Sequence, residues 1–313
     1  METRNLGRSG LRVSLVGLGC NNFGGRIDAA QARAVVDRAI ERGITLFDTA
    51  DTYGGRGGSE RLLGEVLGAR RQDIVLATKF GNAMDDAGVM KGGSRRYLMA
   101  AVEASLKRLR TDWIDLYQLH KPDPDTPIEE TLRALDDLVR QGKVRYVGCS
   151  NLAAWAVADA AWTARHLGLA PFVSAQDEYS LLVRRHEREL LPALRAYGMG
   201  LLPYYPLASG LLTGKYKRGA SLPDGSRLAN SKAWAEQFLT PRNWDVVEAL
   251  ERFCRERGRG LVDLAFSWLA AQAPVASIIA GATSPQQVDV NVAAAGWKLT
   301  SDELAEVDRI SAG

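Results

Sequence analysis

The sequence predicts an α/β fold: a (β/α)8 TIM barrel with an N-terminal hairpin and extra C-terminal helices. Three observations carry that expectation. Eight short apolar runs alternate with helical patterns along the chain. Most of these runs are apolar on both faces, as a strand buried in a parallel sheet must be. No linker interrupts the alternation, and eight consecutive strand–helix units favour a closed barrel over an open sheet. Such barrels take about 250 residues. This chain has 313, read as one domain over 1–313, so the surplus belongs in loops and added helices.

The strand-like runs are 14–19, 45–49, 74–78, 114–119, 144–149, 172–176, 200–204 and 277–280. Ahead of them, 4–6 and 11–13 around Gly10 read as a small hairpin, expected to cover the bottom of the barrel. Between the runs, helices begin and end with residues that satisfy their free backbone groups. Asp28 with Gln31 opens one, and Gly43 stops it. Ser94 opens another, through Val102, Leu106 and Leu109. Thr126-Pro127-Ile128-Glu129 reads as a capping box with proline at the first helical position. Ile128, Leu132, Leu135 and Val139 then form an apolar stripe ended by Gly142. Ser284 with Gln287 opens a late helix, and Thr300 with Glu303 opens a last one outside the eightfold pattern. The 217–243 stretch is polar and loop-like, carries Trp234 and Phe238, and is of a length usually reserved for function or mobility.

Composition narrows the function classes. Forty Lys and Arg against 37 Asp and Glu are interspersed along the chain, a net charge of +3, and give no argument for nucleic-acid or membrane binding. Cys20, Cys149 and Cys254 are odd in number and far apart, so neither a disulfide framework nor a metal site is expected. A reducing, cytoplasmic setting fits them. The first ten residues lack the apolar run of a signal peptide, and no stretch has the length of a membrane span.

Barrel active sites lie at the C-terminal ends of the strands. Asp48 stands at the end of the second run, with Tyr53 five residues on; Lys79 directly follows the third, and His120 directly follows the fourth. Each residue alone has a plain structural explanation: an ion pair, or packing. Together at one mouth they suit proton transfer to an oxygen. An ammonium favours a phenolate, so Lys79, held by Asp48, is expected to lower the value of Tyr53 and make it a proton donor near neutral pH. His120 would orient a substrate carbonyl oxygen. None of the four is an obvious nucleophile with its own base, so the attack on carbon is expected from a nicotinamide hydride. His166 and His186 read as solvated helix-surface residues.

The segments 48–54, 76–80, 115–120, 147–151, 204–215 and 281–291 resemble the signature blocks of the aldo-keto reductase superfamily, and most of all its bacterial and plant-type branch, which also contains the potassium-channel β-subunits. The resemblance runs from Leu6 to about Ile310, with the blocks in family order. It implies a barrel binding NADPH, with NADH less favoured, across the strand ends, and a small-molecule carbonyl substrate. On the matching positions it makes Tyr53 the general acid, Lys79 and Asp48 its tuning pair, and His120 the carbonyl-orienting group. It implies that Ser150, Asn151 and Gln176 bond the nicotinamide carboxamide and that Tyr204 stacks under the ring. Leu207, Gly210 and Lys215 would approach the pyrophosphate, and Gly281, Ser284, Gln287 and Asn291 the adenosine end. Gly281 and Gln287 stand where relatives often carry lysine and arginine, which leaves the phosphate preference less firmly marked than the tetrad. Tyr205 stands where serine is common, and Ala280 where proline is.

Other motifs fail. Gly17-Leu18-Gly19 lacks the third glycine of a dinucleotide fingerprint, and Gly214-Lys215 lacks the spacing and hydroxyl of a P-loop. Gly54, Gly55, Gly57 and Gly58 read as a flexible loop beside the site. Asn21, Phe23, Phe80 and Trp234 are candidates to line a substrate pocket. Two alternatives to a reductase stand: a cofactor-binding regulatory module with little turnover, and an aldolase forming a Schiff base on Lys79. Asp48 speaks against the latter, because an ion-paired lysine stays protonated and is a poor nucleophile.

Overall fold

The computed structural model describes residues 1–312. Two short antiparallel strands, β1 (Thr3–Asn5) and β2 (Arg12–Ser14), precede eight parallel strands. These are β3 (Val16–Gly19), β4 (Leu46–Asp48), β5 (Val75–Phe80), β6 (Ile114–Leu119), β7 (Val144–Ser150), β8 (Phe172–Glu178), β9 (Gly200–Tyr204) and β10 (Ile278–Gly281). Each pairs with the next in sequence, and β10 closes the ring on β3. The expected barrel is present with its hairpin. The first run divides at its start: Ser14 ends the hairpin, and β3 begins at Val16.

The strand period of two sorts the side chains into two cores. Leu46, Ala77, Leu116, Leu202 and Ile279 fill the inside of the barrel, where they pack with Leu6 and Val13 of the hairpin segment. Their chain neighbours Phe47, Leu76 and Tyr117 pack outward, in the layer shared with the helices. The hairpin thus plugs the N-terminal end of the barrel. The plug is tight at Gly7, which has φ +59° and whose substitution would set a Cβ 2.8 Å from the Val173 carbonyl oxygen.

Most helix starts match the sequence reading. Asp28 with Gln31 and Thr300 with Glu303 form complete capping boxes, and Ser94 caps Arg95–Leu109. Two differ. Thr126 is not a cap: Ile128–Arg140 begins after Pro127 without a side-chain cap. Ser284 does cap Pro285–Ala294, but the Gln287 side chain accepts from Thr283, one residue outside the reciprocal position.

The 217–243 stretch is not loop throughout. Ser231 caps a short helix, Lys232–Phe238, and Thr240 with Pro241 opens Pro241–Glu256. The glycines after Tyr53 do not form an open loop either. Residues Tyr53–Arg56 make an irregular helical turn in which Gly54 and Gly55 take φ +66° and +71°, and Gly58 opens the helix Gly58–Leu67.

That helix crosses Arg95–Leu109 closely. A Cβ at Gly64 would lie 2.6 Å from the carbonyl oxygens of Arg108 and Leu109. Helix propensity alone makes Gly→Ala stabilising by about 1 kcal/mol. Here overpacking reverses the sign, and Gly64→Ala is expected to destabilise by roughly 1–3 kcal/mol. Urea denaturation compares the two proteins; a Gly64→Ala variant as stable as the parent overturns the close-crossing argument.

Candidate active site at the strand ends

Above the apolar filling, the inward positions turn polar. Asp48 follows Leu46 by two residues, Lys79 follows Ala77, and Gln118 follows Leu116. Register completes the layer: Asp48 pairs with Ala77, Lys79 with Gln118, and Ser150 with Gln176. Asp48 is its hub. Its Oδ2 accepts from Lys79 Nζ at 2.6 Å. Its Oδ1 accepts from Gln176 Nε2 at 2.9 Å and from Gln118 Nε2 at 3.2 Å. Lys79 is wholly buried and also donates to the Thr49 carbonyl at 2.9 Å and to Tyr53 Oη at 3.4 Å. Burial works against its charge, but Asp48 and Tyr53 hold the ammonium above its ordinary value.

Tyr53 differs from the sequence expectation in sign. Burial raises its hydroxyl first; Lys79 lowers it, Asp48 raises it again, and the net direction is up. The phenol therefore keeps its proton at neutral pH, which a donor requires. The Tyr53 ring meets His120 edge-on at 5.8 Å. Burial and the charges of Lys79 and Lys121 push His120 down to about 2, so its imidazole is neutral. Its Nδ1 lies 3.0 Å from Asn82 Nδ2.

These groups open onto a cleft of about 1070 Å³. Of the residues singled out in the sequence, the cleft brings together Asp48, Tyr53, His120, Ser150, Asn151, Gln176, Tyr204, Leu207, Gly210, Lys215, Gly281, Gln287, Asn291 and Asn21. Lys79 lies beneath its floor. Ser284 does not line it, and its hydroxyl accepts the Gln287 amide instead. Phe23 and Phe80 are fully buried in the core, so they do not line a pocket. Trp234 supports the wall from behind, edge-on to Tyr205 at 4.9 Å. His186, expected to be solvated, is half-buried, and its Nε2 has no partner among the described residues.

The polar side of the cleft is wired together. Tyr204 Oη donates to Asn151 Oδ1 at 2.8 Å, Asn151 Nδ2 donates to the His120 carbonyl at 3.0 Å, and Ser150 Oγ donates to the Gln176 carbonyl at 2.7 Å. Opposite, the chain from Tyr205 to Gly210 folds sharply, with φ +53° at Tyr205, +45° at Ala208, +57° at Ser209 and +96° at Gly210. The turn closes on itself, with the Ala208 amide donating to the Tyr205 carbonyl and the Gly210 amide to the Leu207 carbonyl. Ser209 Oγ is buried on this wall without a partner among the described residues. Sequence reading missed Gln118, Asn82, Arg26, Lys121 and Arg227, the last four of which line the cleft. The period of two from Leu116 was signal enough for Gln118; the others lie on irregular loops, where no period exists.

Asp51, just past β4, is buried behind this site. Its Oδ2 accepts from Tyr97 Oη at 3.2 Å, and its Oδ1 has no partner among the described residues. No group of His, Cys, Asp and Glu among the described residues is placed to hold a metal ion, and no helix is long and apolar enough to cross a membrane.

Fold and site together define a TIM barrel whose titratable groups converge at the strand ends, the class in which chemistry is carried by that face. Comparison with known proteins gives the family. The model of the aldo/keto reductase family matches residues 15–312, and the chain belongs to that family of oxidoreductases. It is 38% identical to a probable voltage-gated potassium channel subunit beta of Oryza sativa subsp. japonica, over 94% of this chain and 91% of that one. It is 34% identical to the L-glyceraldehyde 3-phosphate reductase of Escherichia coli K12, over 99% and 92%. It is 36% identical to an uncharacterized oxidoreductase of Bacillus subtilis, over 100% and 97%.

Asp51 yields a prediction. Burial, then the nearby charge of Glu60, push its carboxyl up from 3.8 to about 7. Between those values the folded state keeps a proton that the unfolded state has lost, so this group's contribution to stability falls as pH rises. Asp51→Asn is therefore expected to gain stability relative to the parent on going from pH 5 to pH 8. Urea midpoints at the two pH values measure it; a variant that loses ground at pH 8 reverses the assignment.

Proposed function

We propose that this protein reduces an aldehyde or ketone to an alcohol, reversibly, with NADPH as cofactor and Tyr53 as proton donor. The observation that carries the reading is the Tyr53 hydroxyl, 3.4 Å from Lys79 Nζ and beside His120 at the floor of the cleft. When bound, the nicotinamide supplies the hydride that no side chain can.

The residues present fit such a cofactor. Ser150, Asn151 and Gln176 form an amide-recognising edge beside Tyr53, and Tyr204 offers an aromatic face. The turn at 206–210, with its unpartnered Ser209 hydroxyl, suits a pyrophosphate, and Leu207, Gly210 and Lys215 belong to the same wall. Gly281, Gln287 and Asn291 would receive the adenosine end; Ser284 is left with the role of starting the helix there. Arg26, Lys121, Lys215 and Arg227 line the cleft, and none has a carboxylate within ion-pair distance among the described residues. The one lining carboxylate, Asp48, is neutralised by Lys79. This cationic excess favours NADPH, with its additional phosphate, over NADH.

The chain's own work is then definable. His120 orients the substrate carbonyl oxygen beside the Tyr53 hydroxyl. Tyr53 delivers its proton to that oxygen as the carbon is reduced. Lys79 stabilises the phenolate left behind, and Asp48 keeps the ammonium in place. The Schiff-base alternative is disfavoured because Lys79 is ion-paired at 2.6 Å and has no exposure. The channel-subunit relatives favour a second reading, a cofactor-binding regulatory module: tight NADPH binding with negligible turnover of any carbonyl supports it.

NADPH oxidation over a panel of aldehydes and sugar-derived carbonyls is the test. Tyr53→Phe is expected to lower kcat by about 10²–10⁴-fold, with NADPH affinity, read by fluorescence titration, unchanged. Because Tyr53 is held above its ordinary value of 10.0, the reduction rate is expected to stay level through neutral pH and to fall only in strong alkali. Full activity in Tyr53→Phe, or a fall already at neutral pH, rules out this role.

A further inference from the structure

We propose that Asn82 is a positioning residue that fixes the tautomer of His120: by donating its side-chain N–H to Nδ1 it leaves the ring proton on Nε2, where it can be donated to a carbonyl oxygen. The inference rests on the reductase reading for its purpose, but not for its geometry.

A neutral imidazole has one proton and two nitrogens, and the hydrogen bond at one nitrogen decides the state of the other. His120 is buried and flanked by Lys79 and Lys121, so the ring is neutral. No carboxylate bonds the ring among the described residues. Its one side-chain partner is Asn82 Nδ2, 3.0 Å from Nδ1. An amide N–H facing Nδ1 requires a lone pair there and so places the proton on Nε2.

Both residues are held for this contact. His120 follows β6 and Asn82 follows β5 by two residues, and the two strand ends are tied by the His120 amide donating to the Phe80 carbonyl at 2.8 Å. Asn151 Nδ2 fixes the His120 carbonyl from the other side. Gly81, at φ +113°, turns the chain, and its carbonyl accepts from the Gly92 amide at 2.9 Å. The Asn82 carbonyl lies 3.4 Å from Tyr97 Oη, which also reaches Asp51. The buried Tyr97–Asp51 pair thus acts as a backstop for the loop that carries Asn82.

The experiment uses the full chain labelled with nitrogen-15 histidine and long-range proton–nitrogen correlation spectra at pH 8, which read directly which ring nitrogen is protonated. The chain has only three histidines, and His166→Gln and His186→Gln assign the other two without touching the site. In the parent protein the His120 proton is expected on Nε2, with Nδ1 bare. In Asn82→Asp a carboxylate replaces the amide donor, and Nδ1 is expected to become protonated. Asn82→Ala is expected to lower kcat about tenfold with NADPH affinity unchanged, less than the about 10²–10³-fold cost of losing a donor outright, because His120 itself remains. A parent protein protonated at Nδ1 overturns the proposal without reference to any variant or activity. An Asn82→Asp spectrum identical to the parent's also overturns it. If the parent turns over no carbonyl, the reductase reading fails while the tautomer is still read from the spectra, so the two failures are distinguishable.

Discussion

Asp48 sits where the apolar filling of the barrel gives way to polar groups, and a carboxylate buried at that depth must be compensated on both oxygens. Lys79 satisfies one; Gln176 and Gln118 share the other. Those three donors arrive from β5, β8 and β6, so the requirement of one anion ties together strands on opposite sides of the ring. Removing either member of the buried ion pair would leave an uncompensated charge, which costs far more than the pair itself contributes. The need to keep Asp48 satisfied therefore holds Lys79 beneath Tyr53 and keeps the Gln176 side chain at the cleft wall.

The cost of that arrangement is visible in Tyr53. The same burial that makes the Asp48–Lys79 pair tight also desolvates the phenol, and the phenolate loses more from desolvation than it gains from Lys79. The site is thus set to hold a proton. Around it, neutral groups predominate: His120 is uncharged, and Ser150, Asn151 and Tyr204 contribute dipoles already committed to one another. A wall of preoriented dipoles needs little rearrangement when charge develops on an oxygen nearby, which is how such sites stabilise transition states.

Much of the fold was legible because the barrel strands obey a simple rule. Runs apolar on both faces gave the parallel strands, and the positions at or just past their ends gave Asp48, Lys79, His120, Ser150 and Gln176. What misled was local motif reading. Thr126 had the look of an N-cap, yet the helix begins after Pro127 with no side-chain cap. Phe80 follows Lys79 on β5 and points into the core because adjacency along a strand means opposite faces, and Phe23, on the loop past β3, is buried in that core as well. The 217–243 stretch lacked periodicity over most of its length, and its short helix exists because Trp234 and Phe238 find a surface to pack on, including Tyr205.

The sequence by itself determined the barrel, the strand ends at which chemistry collects, and the identity of the four residues at its mouth. Hydrophobic period and capping residues are local properties, written in consecutive letters. Only the tertiary structure decided the electrostatic state of those residues: that burial outweighs Lys79 at Tyr53, that His120 is neutral, and that Asn82 faces its Nδ1. Desolvation and hydrogen-bond partnership depend on what approaches from other strands and loops, and no window of neighbouring residues contains that information.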